Sequence, residues 1–276
     1  MPDIGAALEL LTRRRVAVLS GAGVSTDSGI PDYRGPGSVP RTPMTYDVFR
    51  SGEAAQRRYW SRAYVGWQHM GGAEPNDGHH ALVELERLGA ITYVITQNVD
   101  GLHTRAGSRR VIDLHGRISE VVCLDCQDVS PRARLQERLA ALNPEYAGND
   151  TSGVEIAPDG DAVVDDCAGF VLAACERCGG PLKPHVVFFG ENVPRPRVAR
   201  AIAVVDDADA LLVVGSSLTV MSGLRFVRQA ARAGTPVVIV NRGVTRGDDL
   251  ATVKLGAGCS ETLAAFTQAV TGVASS

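Results

Sequence analysis

The chain has 276 residues, 45% of them hydrophobic and 21% charged, with a formal net charge of −3. This balance fits a folded globular protein with room for one large domain, or one large and one small. It excludes a disordered chain and a broadly basic nucleic-acid surface, and no apolar run approaches the roughly 18 residues that span a bilayer.

Three consecutive arginines at 13–15 read as the solvated end of a helix before a strand. They follow an apolar segment rather than precede it, the reverse of a secretory leader. Val16, Ala17, Val18 and Leu19 then form a short apolar run ending in Ser20 and Gly21. That pattern predicts a buried parallel strand entering a phosphate-binding turn. Gly21, Ala22, Gly23, Ser25 and Thr26 are small enough for backbone N–H groups to approach a pyrophosphate, and the segment reads as the opening of a helix. The GxGxxG spacing is incomplete because Thr26 stands at the third glycine position, and no strand-end acid follows about 20 residues later. On its own, the turn fits either a dinucleotide or a plain strand–helix connection.

Residues 31–75 begin with turn formers and continue into an aromatic-rich helix over 54–67. A helical pattern over 79–88 precedes an apolar strand run at 91–96, and just past its end stand Gln97, Asn98 and Asp100. His115 follows the apolar residues 111–114 and precedes Gly116, which permits the close approach of another group. His69, His79, His80, His103 and His185 lack such a context. An imidazole titrating near neutral pH suits a general base, although spacing alone also allows a structural histidine.

Cys123 and Cys126 form one CxxC pair, Cys175 and Cys178 another. Together they can complete a closed tetrahedral zinc site, structural rather than catalytic. Cys167 could replace Cys175, but it lacks a CxxC partner. Two redox dithiols are the weaker alternative, since neither pair opens a helix after a strand. Reduced cysteines fit a cytoplasmic location. Arginine, alanine and glycine abound, while Lys183 and Lys254 are the only lysines, the composition of a high-GC bacterial genome.

Further strand runs are expected at 210–214 and 236–240, and helices at 197–206 and 224–233. Gly215, Ser216 and Ser217 follow the first run and Asn241 the second; hydroxyls there can bind phosphate or ribose, or cap a helix. Alternation of strands and helices predicts an α/β fold, a doubly wound, mostly parallel Rossmann-like sheet with a smaller zinc-binding module and a helical insertion. We expect one catalytic domain over 1–276, with the Rossmann-like part at about 1–40, 76–116 and 184–272, the insertion at about 41–75 and the zinc module at about 117–183. Residues 272–276 are expected to be loose.

In this order, the motifs at 21–34, 97–103, 114–116 and 215–218 and the two CxxC pairs resemble the sirtuins, NAD-dependent protein-lysine deacylases. The resemblance runs over about residues 10–270. It implies that Gly21, Ala22, Gly23, Ser25, Thr26, Asp32, Tyr33, Arg34, Gln97, Gly215, Ser216, Ser217, Asn241, Arg242, Gly243 and Cys259 contact NAD. Tyr33 stands where the family usually has Phe. The resemblance further implies that Asp100 holds the nicotinamide carboxamide, that Asn98 positions ribose and water, and that His115 accepts a proton from the ribose hydroxyls. The products are free lysine, nicotinamide and 2′-O-acyl-ADP-ribose.

The segment 183–191 resembles the family's substrate loop, with Val187 and Phe189 against the acylated lysine and Glu191 flanking the peptide, bound by strand addition. Residues 31–34, 58–62 and 65–67, and the Ala157-Pro158-Asp159-Gly160-Asp161 stretch, look most like class II sirtuins, which implies a preference for bulkier acyl groups. Tyr59 and Arg62 share the Tyr-x-x-Arg spacing that the family's desuccinylating members use for an acyl carboxylate, and would lie on one helix face. A mono-ADP-ribosyltransferase on the same NAD site is the alternative activity. A zinc-ribbon nucleic-acid module is a third reading, disfavoured by the acidic balance.

Overall fold

The computed structural model describes residues 4–35, 38, 42–147, 157, 162 and 167–274. In chain order the elements are α1 (Ile4–Thr12), β1 (Val16–Ser20), α2 (Tyr46–Arg50), α3 (Glu53–Gly72), α4 (Asp77–Arg87), β2 (Ile91–Thr96), α5 (Leu102–Ala106), β3 (Val111–Asp113), β4 (Gly116–Cys123) and β5 (Val129–Pro131). They continue with α6 (Arg132–Leu142), α7 (Pro144–Ala147), β6 (Leu182–Val186), α8 (Arg195–Asp206), β7 (Ala210–Val214), α9 (Met221–Arg232), β8 (Val237–Val240), β9 (Val253–Leu255) and α10 (Cys259–Ala274).

Six strands form a wholly parallel sheet in the order β3-β2-β1-β7-β8-β9. β1, β7 and β8 are buried along their whole length, as strands covered on both faces must be. One apolar layer packs Leu11, Leu82, Leu85 and Phe266 against the sheet, and the opposite layer packs Leu224, Phe226 and Val227. The chain winds outward in one direction from β1 and in the other from β7. The carboxyl ends of these two adjacent strands are therefore the switch point where such sheets bind ligands.

The second sheet is antiparallel, ordered β5-β4-β6, and packs with α3 and α6 around a core that includes Phe49, Tyr59, Trp60, Leu135 and Phe170. Arg132 lies 1% exposed between Trp60 and Trp67, its guanidinium 5.2 and 5.0 Å from their ring centroids. Its Nη2 donates to the Ala63 carbonyl at 3.2 Å, joining α6 to α3.

The strand runs at 91–96 and 210–214 match β2 and β7 residue for residue. Three expectations need correction. The segment after β1 opens no α-helix; it makes two 3-10 turns, Ala22–Val24 and Thr26–Ser28, ended by Gly29 at φ 81°. The aromatic helix runs further than 54–67, from Glu53 to Gly72. Residues 272–274, expected outside regular structure, form the last turn of α10, exposed at Gly272 and Val273. Of the stretch 157–161, only Ala157 falls within the described residues.

Candidate active site

The turns after β1 and β7 meet backbone to backbone. The Gly23 N–H donates to the Gly215 carbonyl at 2.9 Å. A Cβ on Gly21 would stand 2.6 Å from Gly215 O, and one on Gly215, which has φ 64°, would stand 2.5 Å from Val24 N. Only glycine permits this approach. Beside it opens a cavity of about 390 Å³ lined by both turns, by Tyr33 and Arg34, by Gln97, Asn98, Asp100 and His115, and by the segment 186–193.

At its floor, Asn98 Nδ2 donates to Gly21 O at 3.1 Å and to Ser25 Oγ at 3.0 Å. Ser25 Oγ donates in turn to Asp100 Oδ2 at 2.7 Å, and the Leu102 N–H donates to Oδ1 at 2.9 Å. Burial raises the Asp100 pKa above the usual carboxylate range, with the Leu102 and Ser25 hydrogen bonds opposing it.

His115 projects into the same cavity just past β3. Its Nδ1 is 2.8 Å from the Gln97 carbonyl oxygen and its Nε2 is 2.9 Å from Ser222 Oγ. Burial holds its pKa down at about 4, assisted by the charge of Arg197 and opposed by the Gln97 bond. The ring is therefore neutral near pH 7, with the proton on Nδ1 and a lone pair on Nε2. Gly116 has φ 85°, and a Cβ there would stand 2.0 Å from His185 O, so the close approach expected after His115 is realised with β6. The His115 carbonyl accepts from the Val187 N–H at 2.7 Å, tying His115 to the segment 186–193.

Val187, Phe189, Glu191 and Tyr59 line the cavity, joined by Met44, Phe188 and Ile30. The Phe189 carbonyl accepts from the Tyr46 N–H at 2.9 Å, and its ring meets Tyr33 edge-on at 6.0 Å. The Glu191 carboxylate is committed inward, accepting from Phe188 N at 2.9 Å and pairing with Lys183 at 3.0 Å. Lys183 is 3% exposed; burial lowers its pKa and Glu191 raises it. Glu191 thus braces the segment through Oε2 while still lining the cavity.

Arg62 is not among the cavity-lining residues; its Nε donates to the Ala162 carbonyl at 2.7 Å. The Tyr-x-x-Arg spacing puts both residues on α3, but Arg62 reaches the stretch between the cysteine pairs while Tyr59 packs against Phe49 and Phe188. Asn241 lines the cavity, whereas Thr26, Arg242, Gly243 and Cys259 lie outside its lining. Lys254 Nζ donates to the carbonyls of Asn241 and Gly243 at 2.8 and 3.1 Å, ordering that turn. Asp32 accepts from the Gly35 N–H at 2.5 Å, so its carboxylate shapes the loop carrying Tyr33 and Arg34. Sequence reasoning missed Ser222 and Met44, which carry no local signal beyond helix and turn, and gave Phe188 no role of its own within the segment 183–191.

The sulfurs of Cys123, Cys126, Cys175 and Cys178 lie within 4.8 Å of one another, with Cys123–Cys178 at 3.4 Å and Cys126–Cys175 at 3.8 Å. Tetrahedral zinc with Zn–S bonds of about 2.3 Å sets sulfurs roughly 3.8 Å apart, so the four thiols fit that ion. All four positions are filled by protein, which makes the site structural. Cys167 does not belong to the cluster.

The Sir2 family model matches residues 21–222. An NAD-dependent protein deacetylase 1 of Mycobacterium avium is 58% identical over 257 residues, covering 92% of this chain and 91% of the relative. Its namesake from Streptomyces coelicolor is 54% identical, covering 92% and 85%. A solved structure of Sir2 with a p53 peptide and NAD+ superposes with TM-score 0.78 at 32% identity, over 98% of this chain and 99% of the other. Another, of Sir2 with an inhibitor, 2′-O-acetyl-ADP-ribose and deacetylated p53 peptide, gives TM-score 0.75 at 31% identity, over 96% and 97%.

Proposed function

The chain belongs to the Sir2 family, and from that premise we propose that it is an NAD-dependent protein-lysine deacylase with His115 as its base. It transfers the acyl group of a modified lysine to ADP-ribose, releasing lysine, nicotinamide and 2′-O-acyl-ADP-ribose. The observation that carries this reading is an uncharged His115 that lines the same cavity as Asn98, Asp100 and Ser25.

Bound NAD supplies an electrophilic sugar carbon as nicotinamide leaves. The backbones of Gly21, Ala22 and Gly23 with Gly215, Ser216 and Ser217 face its pyrophosphate, Ser25, Gln97 and the loop of Asp32, Tyr33 and Arg34 complete that wall, and Thr26 supports it from behind through its bond to the Gly23 carbonyl. Asn241, Arg242, Gly243 and Cys259 take the adenosine side. Asp100 holds the carboxamide, Asn98 orients ribose and water, and His115 Nε2 takes a hydroxyl proton. Val187 and Phe189 bind acyl-lysine, with Tyr59, Met44 and Phe188 around the acyl chain. Cys123, Cys126, Cys175 and Cys178 hold one structural zinc.

We place the Rossmann-like part, the insertion and the zinc module at the boundaries given above, in one catalytic domain. The lining around the acyl chain is apolar, which supports a preference for bulky neutral acyl groups over carboxyl-terminated ones. Arg62→Ala is then expected to leave the ratio of neutral to carboxyl-terminated substrates unchanged; a shift against the latter would return Arg62 to the acyl site. The relatives are bacterial, and among the described residues no helix is long and apolar enough to cross a membrane. We assign the protein to the bacterial cytoplasm.

The test is incubation with NAD and a panel of acetyl, succinyl, glutaryl-type, lipoyl and long-chain acyl-lysine peptides, followed by mass spectrometry. Peptide cleavage with O-acyl-ADP-ribose formation is expected. Nicotinamide release with ADP-ribose added to protein, and no peptide cleaved, would favour mono-ADP-ribosyl transfer instead.

A further inference from the structure

We infer that Ser222 is a positioning residue for His115, holding the ring in the one tautomer and orientation that present a lone pair to the reacting hydroxyl. The inference rests on the deacylase reading above, in which Nε2 takes the proton. It starts from the two ring contacts. The partner of Nδ1 is the Gln97 carbonyl at 2.8 Å, which can only accept, so Nδ1 carries the hydrogen. Nε2 is then an acceptor, and Ser222 Oγ at 2.9 Å donates to it. A ring held only at Nδ1 can still tilt about that bond. A second contact at the opposite nitrogen fixes its plane.

The fold places both partners through one junction. Gln97 follows β2, and Ser222 is the second residue of α9. Next to Ser222 on α9 is Gly223, where a Cβ would stand 2.5 Å from Gln97 Oε1. The absence of a side chain there lets α9 press onto Gln97, so the two groups that grip His115 are braced against each other. Gln97 Nε2 also donates to Ser216 Oγ at 2.7 Å, linking the grip to the turn that leads into α9. That turn passes through Leu218 at φ 55°, a left-handed conformation costly for a side-chain-bearing residue and met where local geometry is functionally constrained. The charged group that bears on the imidazole is Arg197 of α8, whose Nη1 donates to the Leu114 carbonyl at 3.3 Å.

A hydroxyl suits this task because it is donor and acceptor at once. It donates to the single Nε2 lone pair in the unliganded protein, and its O–H turns away to yield that lone pair when a substrate hydroxyl arrives. Once a substrate hydroxyl proton has moved to Nε2, the same Oγ can accept from Nε2–H without the ring moving. Both Ser222 and His115 line the cavity, so a substrate hydroxyl entering it can displace the Ser222 O–H from Nε2.

The test compares wild type, Ser222→Ala and Ser222→Thr by steady-state kinetics with an acyl peptide, and by ¹⁵N NMR of the His115 ring in the unliganded protein. Ser222→Ala is expected to lower kcat about fivefold, the size of one neutral hydrogen bond, with KM for NAD within about twofold. Its Nε2 resonance should move toward that of a free acceptor nitrogen, and Ser222→Thr should restore both readouts. Unchanged kcat in Ser222→Ala, or an Nε2–H tautomer in wild type, would overturn the inference. So would a parallel loss of NAD affinity in both variants, which would make Ser222 part of the nucleotide wall. Failure of wild type to cleave any acyl peptide sinks the deacylase reading itself, and is thereby distinct from cleavage that Ser222→Ala leaves untouched.

Discussion

β1, β7 and β8 bury every residue and set the nucleotide turns by contacts between main chains. β5 in the smaller sheet alternates exposed and half-buried positions, and its module depends on four sulfurs and one buried arginine. The first region needs little from side-chain chemistry beyond apolar bulk, because a close-packed parallel sheet fixes its own strand ends. The second packs an aromatic core of its own, Phe49, Tyr59, Trp60 and Phe170 among it, and adds to it a metal cluster and a cation between two indole rings. His115 and Gly116 stand at the seam, with the His115 ring on the first region and its Val187 contact leading into the second. The nucleotide half of the site should therefore tolerate damage that removes the peptide half.

The largest expected effect is on the smaller region. Stripping zinc with a chelator, or Cys175→Ser, removes a structural metal worth on the order of 10 kcal/mol. Hydrogen exchange should show lost protection in β4, β5 and β6 with β1, β7 and β8 retained; uniform loss would erase the contrast. Next, His115→Ala should lower turnover by about 10² to 10⁴-fold while calorimetry shows NAD binding largely intact. Retained turnover would remove the base from the seam.

Arg132→Ala should destabilise the chain by roughly 3 kcal/mol in denaturant melts, through a cavity and lost ring contacts, whereas Arg132→Met should stay within about 1 kcal/mol. Equal losses would mean that the charge, not the packing, joins α6 to α3. The smallest effect per group concerns pH. Burial first of all lowers His79 to about 4, His103 to about 3 and His115 to about 4. The unfolded chain binds protons at these histidines from about pH 6.5 downward and the folded chain does not, so stability is full above that pH and declines toward pH 4. Melts at pH 7 and pH 5 should differ by about 2 kcal/mol per histidine, and His103→Asn should flatten the slope.

Much of the nucleotide region was legible, because a buried parallel strand is a continuous apolar run and its turn needs glycine. The zinc ligands were legible too, since paired cysteines keep their spacing in the fold. Ser222 was not, because a serine in the first turn of a helix reads as an ordinary solvated position until β2 and α9 are brought together. Arg132 was equally silent, since burial of a charge depends on Trp60 and Trp67, more than 60 residues away in sequence. β9 is three residues long and carries Lys254, which masks its apolar pattern. The reach of Arg62 depended on what packs against α3, which helical spacing does not encode.

Lys183 and Lys254 are the chain's two lysines, and neither offers a loose amine. One is sealed beside Glu191 and the other spends its hydrogens on backbone carbonyls. An acyl donor that modifies lysine would find almost no free lysine amine on this chain. Its surface carries its positive charge on guanidinium groups, which resist such donors, so the catalyst is kept chemically apart from its own class of substrate.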